Sequence, residues 1–338
     1  MKLRVEAAGL CTTDLHVIDG HFPATTPVVL GHEFAGRVVE VGEKVTSLTI
    51  GDRVAVDPAR PCGRCVFCRR GDVELCSHFS SHGSTCDGGL AQFVVIHESQ
   101  AFKTVLAGEA AALVEPLTCV LHAARAALPH KVAGGKALVL GAGTSGLMFV
   151  QALQVMGGME VHVLDRNEDK RALAQRLGAA VGLTSGADGA AVGGGGQGYD
   201  LVVDTTGHIP LVQASMARMG PKGVFLLYSV PHPQDQLTLN AFDLYRRELR
   251  IVGAFAGPHQ FPTAVDWLER GLIKSAPLIS HRFPIEAFGE AEALLRRGGP
   301  GVRKILMLPW SGDDSGAARS PGDTVTHSSR DEVGGRQP

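Results

Sequence analysis

The segment Cys62-Gly63-Arg64-Cys65-Val66-Phe67-Cys68-Arg69-Arg70-Gly71-Asp72-Val73-Glu74-Leu75-Cys76 sets four cysteines at intervals of three, three and eight residues. Any fold of this chain must accommodate a loop that can bring those side chains to one point, turned by Gly63 and Gly71. Four converging thiolates suit a tetrahedral Zn²⁺ with Zn–S distances of about 2.3 Å, and a closed sulfur shell leaves no place for water or substrate. A disulfide pair and a redox Cys-x-x-Cys are the competing readings. The first residues, Met1-Lys2-Leu3-Arg4-Val5-Glu6, alternate like a strand and hold no apolar signal core, which disfavours a disulfide framework. A redox motif would use only two of the four thiols. The lobe 61–77 is therefore read as a structural zinc site on Cys62, Cys65, Cys68 and Cys76.

What else the chain can be follows from its bulk. At 338 residues, with 44% hydrophobic and 20% charged residues, it can bury sizeable cores in about two domains. A formal net charge of −2 makes no electrostatic case for nucleic acid or an anionic membrane surface. No apolar run reaches the roughly 18 residues that span a bilayer. Seven cysteines, four of them clustered, fit a reducing compartment, so a cytoplasmic, soluble protein is expected.

Two kinds of pattern divide the chain. The first hundred residues are short β-prone runs broken by glycine and proline, among them Val38-Val39-Glu40-Val41, Arg53-Val54-Ala55-Val56 and Leu90 to Ile96, predicting a small barrel or sandwich. Beyond Glu115-Pro116, a helix over 117–128 precedes alternating strands and helices. These comprise strand 137–140, helix 146–156, strand 161–164, helix 170–177 and strands 201–203 and 223–227. That alternation predicts a parallel sheet with right-handed crossovers. Further helices are expected over 261–271 and 286–297. Gly193–Gly196 reads as a surface loop, and 311–338, poor in apolar anchors, as a disordered tail.

Gly141-Ala142-Gly143-Thr144-Ser145-Gly146 matches Gly-x-Gly-x-x-Gly directly after an apolar strand and at the opening of a helix. The first glycine permits the tight turn, the second lets backbone approach a pyrophosphate, and the third allows close helix–strand packing. The helix N-terminus, with Thr144 and Ser145, offers free N–H groups to phosphate. Asp165 ends the next strand, about twenty residues on, where a carboxylate accepts the ribose hydroxyls of NAD. Arg166 could accommodate an NADP phosphate, but Asp165 opposes it, so NAD is preferred. Lys170 and Arg171 follow just past Asp165; ribose contact is one reading of them, and a solvated helix face is the favoured one.

Cys11-Thr12-Thr13-Asp14-Leu15-His16 and Gly31-His32-Glu33 supply a thiolate, imidazoles and carboxylates in the β-rich part. Three protein ligands and an open position are the composition of a catalytic zinc site. With CTTDLH, GHEFAGRVVEVGEKV, the four-cysteine lobe, GDRV, DGGLAQFVV and VLGAGTSG in place, residues 1 to about 310 resemble the zinc-dependent medium-chain alcohol dehydrogenases. The resemblance is to their sorbitol, polyol and threonine dehydrogenase branch. It implies an α/β chain whose GroES-like β-rich catalytic domain is split around a Rossmann doubly wound parallel-sheet domain. The expected segments are catalytic 1–116, dinucleotide-binding 117–254, a return to the catalytic domain over 255–310, and the tail. Relatives of this type begin upstream of the strand that leads to Cys11, so the expectation is either a misassigned start or a β fold without its first hairpin.

Carried over to this chain, the resemblance implies that Cys11, His32 and Glu33 ligate a catalytic zinc, for two zinc ions per chain. Asp14 would orient His32, and Thr13 and His16 would relay the alcohol proton. Glu115, in Glu115-Pro116-Leu117, would lie at or near the metal, and Arg282 in the active-site water network. Cys119 is expected to pack, Cys86 to be a spare thiol, and His21, His78, His82, His97, His122 and His259 show no ligand spacing. The implied reaction is reversible oxidation of a secondary alcohol or polyol to a ketone with NAD(P), in a homodimer or homotetramer. The substrate is a small-molecule alcohol, and neither nucleic acid nor membrane is an expected partner. A threonine-, butanediol- or cyclitol-type substrate is the alternative, and a catalytically impaired nucleotide-binding protein the alternative of another class. Because the four-cysteine site is closed, a Cys65→Ser variant is expected to lose one zinc equivalent and its folding or assembly, while any protein that stays folded keeps the second zinc. Metal analysis with size-exclusion chromatography checks this.

Overall fold

The computed structural model describes residues 1–128, 134–184 and 198–310. The glycine loop 193–196 and the segment 311–338 lie outside them. In the first part, strands β1 (Lys2–Leu10), β2 (Glu33–Glu40), β3 (Arg53–Val56), β4 (Ala59–Arg60), β5 (Ser80–Ser81), β6 (Phe93–Val95) and β7 (Ala101–Lys103) follow one another. Strands β8 (Lys136–Leu140), β9 (Glu160–Leu164), β10 (Val181–Leu183), β11 (Tyr199–Asp204), β12 (Met219–Leu227) and β13 (Arg250–Gly253) alternate with helices. The chain then returns through β14 (Ile279–Pro284) and β15 (Lys304–Leu308).

Seven strands form the first sheet, in the order β14-β15-β1-β2-β3-β7 with β6 paired to β1. It takes its central strand from the first ten residues and its neighbour β15 from the last described ones, with Ala8 opposite Met307 and Leu10 opposite Ile305. Alternation along β1 sends Leu3 and Val5 into a core with Phe34, Val38 and Val54. The second sheet has six strands in the order β10-β9-β8-β11-β12-β13, all parallel. Its central strand β8 is buried from Ala137 to Leu140, as expected where helices cover both faces. The β4–β5 ribbon closes the base of the cysteine loop.

The helix predicted over 117–128 begins earlier and spans Val114–Ala127, with Glu115 and Pro116 in its first turn. Proline is tolerated there because the first-turn N–H groups have no intrahelical acceptor. Its Leu117, Val120, Leu121 and Ala124 are fully buried, in a core that joins Ala7, Ala35 and Ala55 of the first sheet to Val139 and Leu201 of the second. The helix is thus the shared wall between the two sheets, and it places Glu115 at their junction. Leu117→Ala is expected to cost about 2–5 kcal/mol through lost burial and the cavity left behind, read as a lowered urea midpoint.

Candidate active site

The cleft between the sheets, about 870 Å³, is lined by Cys11, Thr13, His16, His32, Glu33 and Glu115 on one side and by Gly143, Thr144, Ser145 and Lys170 on the other. On the second side the glycine turn has the form the fingerprint requires. Gly141 adopts φ +94°, and a Cβ on Gly146 would collide with the Gly141 carbonyl oxygen, so both must be glycine. A Cβ on Gly143 would meet nothing within 4 Å, which leaves the backbone open at the N-cap of helix Thr144–Gly157. That is the cradle a pyrophosphate needs.

The Asp165 carboxylate accepts from the Ala142 N–H at 2.8 Å and from the Asn167 N–H at 2.8 Å, which ties it to the glycine turn. Arg171 donates to the Asp165 carbonyl at 2.8 Å and so serves the backbone. Burial lowers the Lys170 ammonium, with Asp165 opposing that shift.

Cys11 caps the short helix Thr12–Ile18, and the Asp14 carboxylate in that helix's first turn accepts from the Cys11 and Gly31 N–H groups at 2.9 and 3.2 Å. The other end of the arrangement is the start of β2, which carries Glu33. The His32 Nδ1 lies 3.4 Å from Asp14 Oδ1, and Asp14 is buried, so one ring nitrogen is engaged and the other is left for a ligand. Donor atoms of Cys11, His32 and Glu33 all lie within 4.8 Å of one another. A thiolate, an imidazole and a carboxylate at that spacing, opening on a cleft, fit a zinc ion with a free position. The Cys11 thiol is 3.7 Å from Thr13 Oγ1.

The second donor cluster is Cys62, Cys65, Cys68 and Cys76, also within 4.8 Å, all as free thiols rather than disulfides. Backbone N–H groups of Cys62 and His78 donate to Cys76 Sγ at 3.3 Å each. The N–H groups of Cys68 and Ser77 pull the Cys65 thiol down to about 6, while desolvation and the neighbouring thiols push Cys68 up to about 12, so the four sulfurs share negative charge unevenly without a cation.

Residues 1–105 match the alcohol dehydrogenase GroES-like domain and residues 146–270 the zinc-binding dehydrogenase domain. The D-altritol 5-dehydrogenase of Agrobacterium fabrum (strain C58 / ATCC 33970) is 36% identical over 287 residues, covering 84% of each chain. The chain belongs to the zinc-containing medium-chain alcohol dehydrogenase family. Within it, the chain falls in the branch of the sorbitol, arabinitol, galactitol 1-phosphate and threonine dehydrogenases. A solved zinc-binding dehydrogenase of Sinorhizobium meliloti 1021, bound to NADP, is 33% identical with a TM-score of 0.84, covering 91% of this chain and 92% of that one. An E. coli CFT073 alcohol dehydrogenase complexed with NADH is 28% identical with a TM-score of 0.83, covering 91% of both.

The dehydrogenase departs from its sequence reading in several places. Arg282 is not in the cleft. Its guanidinium makes a bidentate pair with Glu109 at 2.6 and 2.7 Å on the exposed surface, because β14 carries it at the sheet edge. Lys170 lines the cleft, while Asp165 is placed by its bond to the Ala142 N–H of the glycine turn. Glu115 lines the cleft half-buried, and desolvation there raises its carboxyl to about 7, with the His32 imidazole opposing the shift. Cys119, one turn on, lines the cleft and donates to Glu115 Oε1 at 3.5 Å.

Lys304 was not legible in the sequence. It sits at the start of β15, only 6% exposed, with Nζ 2.7 and 2.5 Å from the two Glu33 oxygens. Tyr228, whose hydroxyl donates to Ser145 Oγ at 3.5 Å, also escaped notice. Both follow or open ordinary apolar strands, so no local signal marks them. Lys304→Met is expected to destabilise the metal-free dehydrogenase by about 3–5 kcal/mol, since it strands a buried carboxylate. Urea titration after chelation measures this, and Glu33→Gln in the same chain should recover most of the loss.

Proposed function

We propose that this dehydrogenase reversibly oxidises a secondary alcohol or polyol to a ketone, with zinc held by Cys11, His32 and Glu33 and with NAD preferred to NADP. The observation that carries the reading is the convergence of those three donors and the open Gly143 backbone on one cleft. When bound, zinc supplies Lewis acidity toward the alcohol oxygen and the nicotinamide supplies the hydride acceptor.

The chain's own residues do the rest. Asp14 fixes the His32 ring, and the N-terminus of helix Thr144–Gly157 holds the pyrophosphate. The Thr13 hydroxyl receives the alcohol proton, and His16, on the same helix and the same cleft wall, passes it to solvent. Glu115 at the junction gives that wall a second carboxyl beside the metal donors. Asp165, fixed by two backbone N–H groups, meets the adenosine ribose and opposes a 2′-phosphate there. Cys62, Cys65, Cys68 and Cys76 hold the second, structural zinc.

A homodimer or homotetramer is the expected assembly. The edge strand β13 and the exposed Phe242 and Tyr245 before it support that expectation. No helix among the described residues is long and apolar enough to cross a membrane.

The wild-type protein is expected to reduce NAD in the presence of polyols faster than NADP. Cys11→Ser should keep the structural zinc, lose the other and lose turnover. Absorbance at the reduced-nicotinamide band and metal analysis check both. Full activity of Cys11→Ser would overturn the mechanism, and a strong NADP preference the cofactor assignment.

A further inference from the structure

The cysteine lobe does more than bind its own metal. Between Gly71 and Cys76 the chain makes the short turn Val73–Leu75, and Val73 and Glu74 line the same cleft as Cys11 and His32. The lobe is pinned there from the far side: Nε2 of His259, in the segment after β13, lies 3.0 Å from the Gly71 carbonyl. His259 reaches that position from a left-handed backbone, φ +59°. Two sulfur-anchored ends and this cross-cleft bond hold Glu74 in place.

Glu74 Oε2 is shielded from solvent, yet no hydrogen-bond donor among the described residues reaches it. A buried acceptor without a donor is rare in a folded protein and calls for a partner. The same cleft is lined by Asp57, Arg60, His97 and His259, and the imidazole that feels the Glu74 charge is His122. Asp57 adds a second carboxylate; burial lifts it to about 6, so it is ionised at pH 8. Of the cations, Arg60 is exposed, His259 is bonded to Gly71, His97 Nδ1 is engaged by Ser99, and Arg303 donates to the Pro277 and Gly301 carbonyls. His122 is close enough for Glu74 to act on it, but burial pushes its imidazole down, so it is neutral at pH 8. Lys304 is committed to Glu33. At pH 8 the Glu74 and Asp57 carboxylates therefore offer acceptors and negative charge to this cleft.

We propose that Glu74 is a specificity-determining residue. Its carboxylate accepts a hydrogen bond from a hydroxyl of an uncharged polyhydroxylated alcohol, away from the carbon that is oxidised, and disfavours phosphorylated alcohols. This rests on the alcohol oxidation proposed above. It makes the structural lobe a wall of the substrate site, and the unpaired oxygen is the acceptor the substrate satisfies.

The test compares D-arabinitol, sorbitol, galactitol 1-phosphate, threonine and 2-butanol as substrates at pH 8. Wild type should favour the two free polyols over the phosphate and threonine. Hydrogen bonds to a charged group are strong enough that Glu74→Ala should lower the ratio of kcat/KM for D-arabinitol to that for 2-butanol about tenfold to hundredfold, mainly through KM. Glu74→Gln, which keeps an acceptor but not the charge, should recover part of that ratio and narrow the gap to galactitol 1-phosphate. Zinc content of two per chain in each variant confirms that the lobe is intact. A polyol-to-butanol ratio within twofold of wild type in Glu74→Ala, or a wild-type preference for the phosphate or for threonine, overturns the subsite while leaving alcohol oxidation standing. A wild-type protein inactive on every alcohol overturns both.

Discussion

A buried ion pair between residues 271 positions apart, Glu33 and Lys304, closes the molecule. It joins the start of β2 to the start of β15, and β1 runs between them in the sheet. Removing two charges from water is costly, and only short, bidentate geometry repays it. Here the ammonium reaches both carboxylate oxygens and the Leu10 carbonyl next to Cys11. The pair therefore sets the position of two metal donors and of the returning strand with one contact. An apolar pair would seal the sheet as well, but it would supply no carboxylate to the cleft.

The cleft itself is a seam. One wall comes from a sheet built of the first and last described strands, the other from the parallel sheet inserted between them. Helix Val114–Ala127 belongs to both cores and carries Glu115 and Cys119 at the meeting point. Local hydrogen bonding then refines the walls, with Asp14 tied to the Cys11 and Gly31 N–H groups and Asp165 tied to the glycine turn. Each acid is anchored by backbone, so it presents a fixed face rather than a mobile side chain. The cysteine lobe closes the remaining side.

Features that depend on residues close in sequence were legible in it. The glycine turn is one, because the Gly146–Gly141 contact spans a few residues and tolerates no Cβ. The cysteine lobe is another, since its spacing alone brings four sulfurs together. The order of strands and helices was also readable, although the helix over 117–128 began three residues early, at Val114, because Pro116 suits a first turn. Arg282 was not readable in the same way. Its neighbours in sequence resemble an active-site segment, but its partner, Glu109, lies 173 residues away and on the surface. Glu74 was likewise hidden, as a side chain between two cysteines whose spacing drew all the notice.

By itself the sequence determined the chemistry available: a closed four-thiolate site, a thiolate–imidazole–carboxylate set and a pyrophosphate cradle, each encoded within short segments. Tertiary structure decided which of these share a cleft and which charged groups face it. Lys304 enters and Arg282 leaves because strand pairing between distant segments, not local pattern, sets where β14 and β15 point their side chains. Contacts of that kind depend on loop closure over hundreds of residues, and no local spacing records them.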